Sequence, residues 1–257
     1  MAADGLARAL PWALFHTARS NPPMAVALAL CCPPQGFRLA CAVYGYFRWA
    51  DDIVDTPARD GLAVQRFVRR QDEIIRGAIA PEHPAERALR WALARPSEGP
   101  RLQPAVERMA QALTYDAQRG AGPIPAAELQ AQVERIGDAF VGAIWVCSGG
   151  EDQPSEPALL LARAATATHM LRDRIEDQAL GYCNLPQERF GAVTPAPGPA
   201  LDAWLTQRAV EVDGWFAEGL AGAEAIQPAR TRKLVRLLGQ RYRKALVGLE
   251  SPRAHPS

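Results

Sequence analysis

The chain has 257 residues, 48% of them hydrophobic, enough to bury a large core in one large domain or two small ones. A formal charge of +1 gives no electrostatic case for nucleic acid or for a strongly charged membrane surface. An aromatic content of 7% is low for an all-β fold, whereas alanine, leucine and arginine are abundant and favour helix.

The first helix is predicted over 5–17 and stops before Asn21-Pro22-Pro23. The apolar run from Met24 to Cys32 resembles a signal-peptide core. It is short, prolines bound it, and Leu30 rather than a small residue precedes Cys31, so it reads as an internal segment. No apolar stretch is long enough to span a bilayer. The five cysteines form an odd set with no metal spacing, which predicts reduced thiols packed as small core residues in a cytoplasmic protein.

The next helix, predicted over 35–55, is apolar nearly all round, as expected inside a large bundle. One polar stripe crosses it. Tyr44, Arg48, Asp51 and Asp55 recur at steps of three or four and share a face. Asp55-Thr56-Pro57 reads as the helix end.

Helices are predicted over 62–79, 84–94 and 102–119, the last carrying Tyr115 and Asp116, to which no catalytic role is given. A helix over 126–147 holds Glu134 and Asp138 at helical spacing. They read as a solvated face, because Glu134-Arg135 is an ordinary charged surface pattern. Val141-Gly142 is small enough for close helix contact. A helix over 156–179 repeats the polar stripe: Thr166, then His169, Asp173 and Asp177 at steps of four, with Arg172 and Glu176 beside them. Helices over 200–219 and 228–249 complete the pattern, and 251–257 reads as a frayed tail. There is no solenoid repeat, and every break is too short for a domain linker. The expectation is a single all-α domain over 1–257.

A polar stripe on a buried helix must face something polar, because an unpaired buried carboxylate is expensive. Two stripes facing one central cavity would let aspartates hold Mg²⁺, which takes hard oxygen ligands and shares its remaining positions with water and phosphate. Arg48 and Arg172 would grip the same phosphates, since guanidinium forks match phosphate oxygens. The blander alternative is solvated helix caps and surface ion pairs among Arg172, Arg174, Glu176 and Asp177. Two clusters inside apolar helices favour the clamp.

The segment Tyr44-Gly-Tyr-Phe-Arg-Trp-Ala-Asp-Asp-Ile-Val-Asp55 resembles the first aspartate-rich motif of the squalene/phytoene synthases. Leu171-Arg-Asp-Arg-Ile-Glu-Asp-Gln-Ala-Leu-Gly-Tyr-Cys-Asn-Leu-Pro186 resembles their second. The resemblance extends loosely from about Ser20 to Leu249 and implies an isoprenoid-synthase helical bundle with a central cavity. It implies Mg²⁺-dependent head-to-head condensation of two allylic prenyl diphosphates, farnesyl or geranylgeranyl. The product would form through a cyclopropyl diphosphate and be of squalene, dehydrosqualene or phytoene type. Mn²⁺ is a possible substitute, and NADPH enters only for squalene. Carried onto this chain, Asp51, Asp55, Asp173 and Asp177 hold the metal with help from Asp52 and Glu176. Arg48 and Arg172 bind diphosphate, Ser20 sits at a diphosphate-binding serine position, and Tyr44 or Phe47 shields the cation.

Three departures stand out. His169 replaces an asparagine that is often a metal ligand in the family, and imidazole prefers softer metals, so it either hydrogen-bonds diphosphate or fills space. The family ending Gly-Arg-x-Tyr-Leu-Pro reads Gly181-Tyr182-Cys183-Asn184-Leu185-Pro186, which lacks the arginine and the tyrosine of that pattern. A tyrosine expected before the Val-Gly of the middle helix is missing. These changes keep two alternatives open: ionisation of one substrate with cyclisation or water capture, and a non-catalytic assembly or binding role. The oily product suggests peripheral membrane contact; the oligomeric state is left open.

Overall fold

The computed structural model describes residues 2–55, 61–151 and 153–250. Thr56-Pro57 and the tail 251–257, expected to end a helix and to fray, lie outside the described residues. Twelve α-helices run through the described residues, with one two-stranded sheet. They are α1 Ala2–Ser20, α2 Pro22–Cys31, α3 Pro34–Val54, α4 Gly61–Arg76, α5 Pro84–Leu93, α6 Gly99–Gln118, α7 Ala126–Ser148, α8 Glu156–Arg172, α9 Arg174–Ala179, α10 Gln187–Phe190, α11 Pro199–Gly222 and α12 Ala229–Glu250. The sheet pairs β1, Pro123–Ile124, in parallel with β2, Cys183–Pro186. The fold is the all-α bundle expected.

Two elements differ from the sequence reading. The prolines at 22 and 23 start a helix rather than only ending one. They occupy its first turn, where no N–H is needed, and the Asn21 side chain caps it by accepting from Met24 N at 3.2 Å. The apolar run thereby becomes α2, whose Met24, Leu28 and Cys31 turn into the core. The helix expected over 156–179 divides at Asp173, which leaves helical geometry and separates α8 from α9. His169, Asp173 and Asp177 therefore do not lie along one straight helix face.

The helix α7 is the axis of the bundle. It packs against α3, α6 and α8, so it stands between the two helices that carry the aspartate motifs. Close approach on its flanks depends on missing side chains. A Cβ at Gly36 would lie 1.8 Å from the Cys147 carbonyl oxygen, and one at Gly137 would lie 2.9 Å from Arg163 N. Gly142 likewise lets α6 approach, as a Cβ there would stand 3.2 Å from that of Ala105. A large apolar core fills the space among α1, α2, α3, α5, α6 and α7, and a second one joins α7, α8, α11 and α12.

The small sheet has a positional role. β1 follows α6 and β2 follows α9, so their pairing holds the C-terminal end of α6 beside the segment after the second motif. Leu185 and Cys183 are buried beneath it, and Glu188 of α10 accepts from Ala126 N at 2.8 Å to cap α7.

Candidate active site

The first motif occupies the last two turns of α3, where the buried face of the helix runs out at Val54. Arg48 lies 3.0 Å from Asp51 and 2.5 Å from Asp52, with all three side chains close to half exposed. The second motif spans the α8–α9 break. There Arg172 forks onto Asp173, with Nε to Oδ1 at 2.5 Å and Nη2 to Oδ2 at 2.7 Å. Both arginines expected to bind diphosphate thus rest on aspartates of their own motifs. Such exposed pairs are worth about 1 kcal/mol or less, so an incoming anion displaces them readily.

Asp55, Asp116 and Asp177, at the end of α3, on α6 and on α9, lie near enough to act on one another's charge. Burial and the facing charges of Asp116 and Asp177 push Asp55 up to about 6. Burial and Asp173 push Asp177 up to about 6, and burial pushes Asp116 there too, with Asp51 adding to it. Asp51, 43% exposed at the mouth of the cleft, is held well above the ordinary carboxylate range by burial of its carboxyl end and by Asp55. Like charges in a partly dehydrated cleft oppose one another's ionisation.

Asp116 received no role from the sequence, yet it belongs to this cluster. Its Oδ2 accepts from Gln132 at 2.9 Å and its Oδ1 lies 2.8 Å from Arg119 Nε. Tyr115-Asp116 lacked a second aspartate or an apolar stripe to mark it. Only the packing of α6 on α3 and α7 reveals it.

Asp173 stands apart. The hydrogen bonds from His169 and Arg172 hold its carboxyl far below the usual range against the opposing cost of burial. His169 Nδ1 lies 2.7 Å from Arg172 Nη2 and 3.5 Å from Asp173, while its ring packs on Tyr242 at 4.9 Å. The imidazole packs against Tyr242 and touches both members of the Arg172–Asp173 pair. Glu176 is exposed on α9. Ser20, the last residue of α1, is also exposed, and the adjacent Asn21 side chain is hydrogen-bonded to Tyr44 and Tyr242.

The unexpected residues of the second motif tie the cluster together. The Tyr182 hydroxyl donates to the Val54 carbonyl at 3.4 Å, beside Asp55, and Asn184 donates to Asp177 Oδ2 at 2.9 Å. Glu134 and Asp138 lie elsewhere: Asp138 takes a two-pronged ion pair from Arg163 at 2.8 and 3.0 Å, which joins α7 to α8 rather than binding metal. The face is thus an interhelical seam, not the solvated surface expected. His16 stacks on Trp12 at 4.7 Å, in keeping with a structural role.

Beside the cluster runs an apolar cavity between α2, α3 and α7. Met24, Leu28, Val43, Tyr44, Phe47 and Phe140 are among its walls, and its enclosed volume is about 20 Å³. Tyr44 meets Phe140 edge-on at 6.5 Å. This pocket is apolar, and at about 20 Å³ it holds roughly one water.

Among the described residues, no three carboxylate, imidazole or thiol groups already converge as a ready-made metal cage. The donor set still fits Mg²⁺. It is all hard oxygen, and Mg²⁺ needs only one or two carboxylates when phosphate and water supply the rest.

A helical bundle with two aspartate-rich clusters over an apolar cavity defines the class: an all-α isoprenoid-synthase fold. Residues 18–255 match the family model for squalene/phytoene synthase, and the chain belongs to that family of prenyltransferase-like enzymes. It is similar to a dehydrosqualene synthase crystallised with ligand: TM-score 0.70, 19% identity, 95% of this chain and 87% of that one. It is similar to squalene synthase HpnC from Alicyclobacillus acidocaldarius: TM-score 0.68, 18% identity, 97% of both chains. The third is YisP from Bacillus subtilis subsp. subtilis strain 168: TM-score 0.65, 15% identity, 96% of this chain and 88% of that one. No curated protein matches the chain significantly. No helix among the described residues is long and apolar enough to cross a membrane.

Proposed function

We propose that the protein condenses two allylic prenyl diphosphates head to head, with Mg²⁺, through a cyclopropyl diphosphate to a squalene-, dehydrosqualene- or phytoene-type hydrocarbon. The observation that carries this reading is the facing of Asp55 from the first motif and Asp177 from the second across one cleft beside an apolar cavity. Asp51, Asp55 and Asp177 hold the metal, joined by Asp116 and flanked by Asp52, Asp173 and Glu176. Bound there, Mg²⁺ would supply positive charge to the departing diphosphate.

The chain's own residues do the rest. Arg48 and Arg172 swing from their aspartates onto the diphosphate and stabilise its developing charge. Ser20 and the Asn21 amide border that site. The rings of Tyr44 and Phe47 offer π faces to the allylic cation and keep water from it. His169 keeps Arg172 aimed. The substrate is a prenyl diphosphate, and its oily product makes a peripheral membrane contact useful.

The changed end of the second motif supports a second reading: ionisation of a single substrate followed by cyclisation or water capture. Tyr182 places a hydroxyl beside Asp55, where the family pattern has an arginine side chain. One experiment separates the two. Purified protein is incubated with farnesyl and geranylgeranyl diphosphates and Mg²⁺, with and without NADPH, and the organic extract is analysed. Head-to-head hydrocarbon supports the first reading; a cyclised or hydroxylated monomer replaces it with the second. No diphosphate release from either substrate sinks both.

A further inference from the structure

Arg119 occupies a place that neither motif accounts for. It caps the C-terminal end of α6, and its side chain is only 7% exposed, which is rare for a charged group without a defined task. Its Nε lies 2.8 Å from Asp116 Oδ1. Its Nη1 donates to Asn184 Oδ1 at 2.8 Å, and Asn184 in turn donates to Asp177. The guanidinium carbon lies 4.7 Å from the centre of the Tyr182 ring, and the Tyr182 hydroxyl donates to the carbonyl of Val54, the residue before Asp55, at 3.4 Å. One buried cation therefore reaches two carboxylates, Asp116 directly and Asp177 through Asn184, and through Tyr182 it reaches the backbone that carries Asp55.

We propose that Arg119 is a positioning residue of the metal–diphosphate site, setting the spacing of Asp55, Asp116 and Asp177 through Tyr182 and Asn184. The task needs a planar fork. A single point charge can neutralise Asp116, but it cannot also stack on Tyr182 and hold Asn184 in a fixed direction. The sheet pairing of β1 with β2 brings the end of α6 to Tyr182 and Asn184, so the fork and its two intermediaries are built by the same local topology. The inference rests on the proposed metal–diphosphate chemistry of this cleft, and it adds a residue from outside both aspartate motifs.

The test compares wild type with Arg119→Lys, Arg119→Gln and Tyr182→Leu. The first readout is the rise in melting temperature on adding Mg²⁺ with inorganic pyrophosphate. The second is diphosphate release from farnesyl or geranylgeranyl diphosphate across a Mg²⁺ titration. In all three variants the pyrophosphate-dependent rise is expected to shrink by half or more. The Mg²⁺ concentration for half-maximal rate is expected to increase at least threefold, and kcat to fall at least tenfold, with KM for the prenyl diphosphate within threefold of wild type. Arg119→Lys behaving like wild type in the Mg²⁺ titration overturns the proposal. So does a uniform loss of stability in which the folded fraction keeps its Mg²⁺ response. Should the Arg119 variants not fold, Tyr182→Leu decides by the same measures, because it removes the surface on which the fork lies. A wild-type protein that releases no diphosphate rejects the proposed reaction, while the melting measurement still decides the role of Arg119.

Discussion

Asn184 donates from Nδ2 to Oδ2 of Asp177 across 2.9 Å while its Oδ1 accepts from Arg119 across 2.8 Å. The amide suits both neighbours because it presents a donor to the acid and an acceptor to the base. Asn184→Asp reverses the first of these, placing a carboxylate against Asp177. The expected outcome is a stability loss of about 2 kcal/mol, as a satisfied pair becomes a repulsive one in a buried setting. Diphosphate release should fall by at least tenfold. Urea unfolding and a release assay check both; a variant as stable and active as wild type would show that the amide is incidental.

Repulsion among Asp51, Asp55, Asp116 and Asp177 makes the empty clamp costly, so removing one charge should stabilise the protein while disabling it. Asp55→Asn is expected to raise the melting temperature in chelator by several degrees and to lower diphosphate release by at least a hundredfold. The variant should also lose much of the Mg²⁺-dependent stabilisation expected of wild type. Asp173→Asn should do the opposite in chelator, because Asp173 is held charged by Arg172 and His169. Parallel melting curves with chelator and with Mg²⁺ plus pyrophosphate are the check.

The same groups set a pH dependence. Asp116 titrates near 6 in the folded protein against an ordinary value of 3.8, so between about 4 and 6 the folded state binds more protons than the unfolded one. Its contribution therefore falls as pH rises through that window, by about 3 kcal/mol when fully ionised. Asp177, with the same upward direction, adds to the fall. His16 and His83, pushed below 6.5 by burial, act oppositely, since they favour folding as pH rises towards 6.5. Comparison with Asp116→Asn isolates the carboxylate part: its stability should fall less steeply than wild type from pH 4.5 to 7. Because Mg²⁺ needs ionised ligands, its stabilisation should be small at pH 5 and large at pH 8.

The sequence made the two clamps legible because each combined aspartates, an arginine and helical spacing inside an apolar segment. Tyr44, Arg48, Asp51 and Asp55 could be placed on one face from periodicity alone. Asp116 and Arg119 could not, because a lone Asp-x-x-Arg at a helix end is an ordinary surface pair, and what makes it part of the site is the parallel pairing of two short strands 60 residues apart in sequence. The split at Asp173 was hidden for a related reason. No proline or glycine stands at the break, so punctuation rules do not detect it. The helix α2 was missed because two prolines read as a stop, although in the first turn of a helix they serve as a start.

Gly36 offers a test of the scaffold rather than the chemistry. A Cβ there would overlap the Cys147 carbonyl oxygen at 1.8 Å, and that oxygen belongs to backbone that cannot rotate away. Gly36→Ala must separate α3 from α7, at a cost of about 3 kcal/mol or more. Since α3 carries the first aspartate motif, the loss of activity should track the loss of folded protein. Denaturant titration alongside activity per folded molecule distinguishes this from a defect confined to the site.

Chain-length selection should lie in the aromatic side chains that close the cavity. An enclosed volume of about 20 Å³ accommodates roughly one water, not a prenyl chain, so substrate must displace side chains to enter. Tyr44 is held by its hydrogen bond to Asn21, and Met24 and Leu28 are anchored in the core. Phe140, partly buried and meeting Tyr44 edge-on, is the ring with the greatest freedom to yield. Phe140→Leu keeps the wall apolar and costs about 1 kcal/mol, yet removes the flat ring that blocks the passage. Discrimination by apolar volume is worth roughly 1–3 kcal/mol for each methylene gained or lost, so a modest opening shifts preference measurably. The variant is expected to raise kcat/KM for geranylgeranyl relative to farnesyl diphosphate by about fivefold or more, with the two substrates competed in one vessel and the extracted products weighed against each other. An unchanged ratio would place the length gate one turn further along the same face of α7, at Ala143 and Ile144.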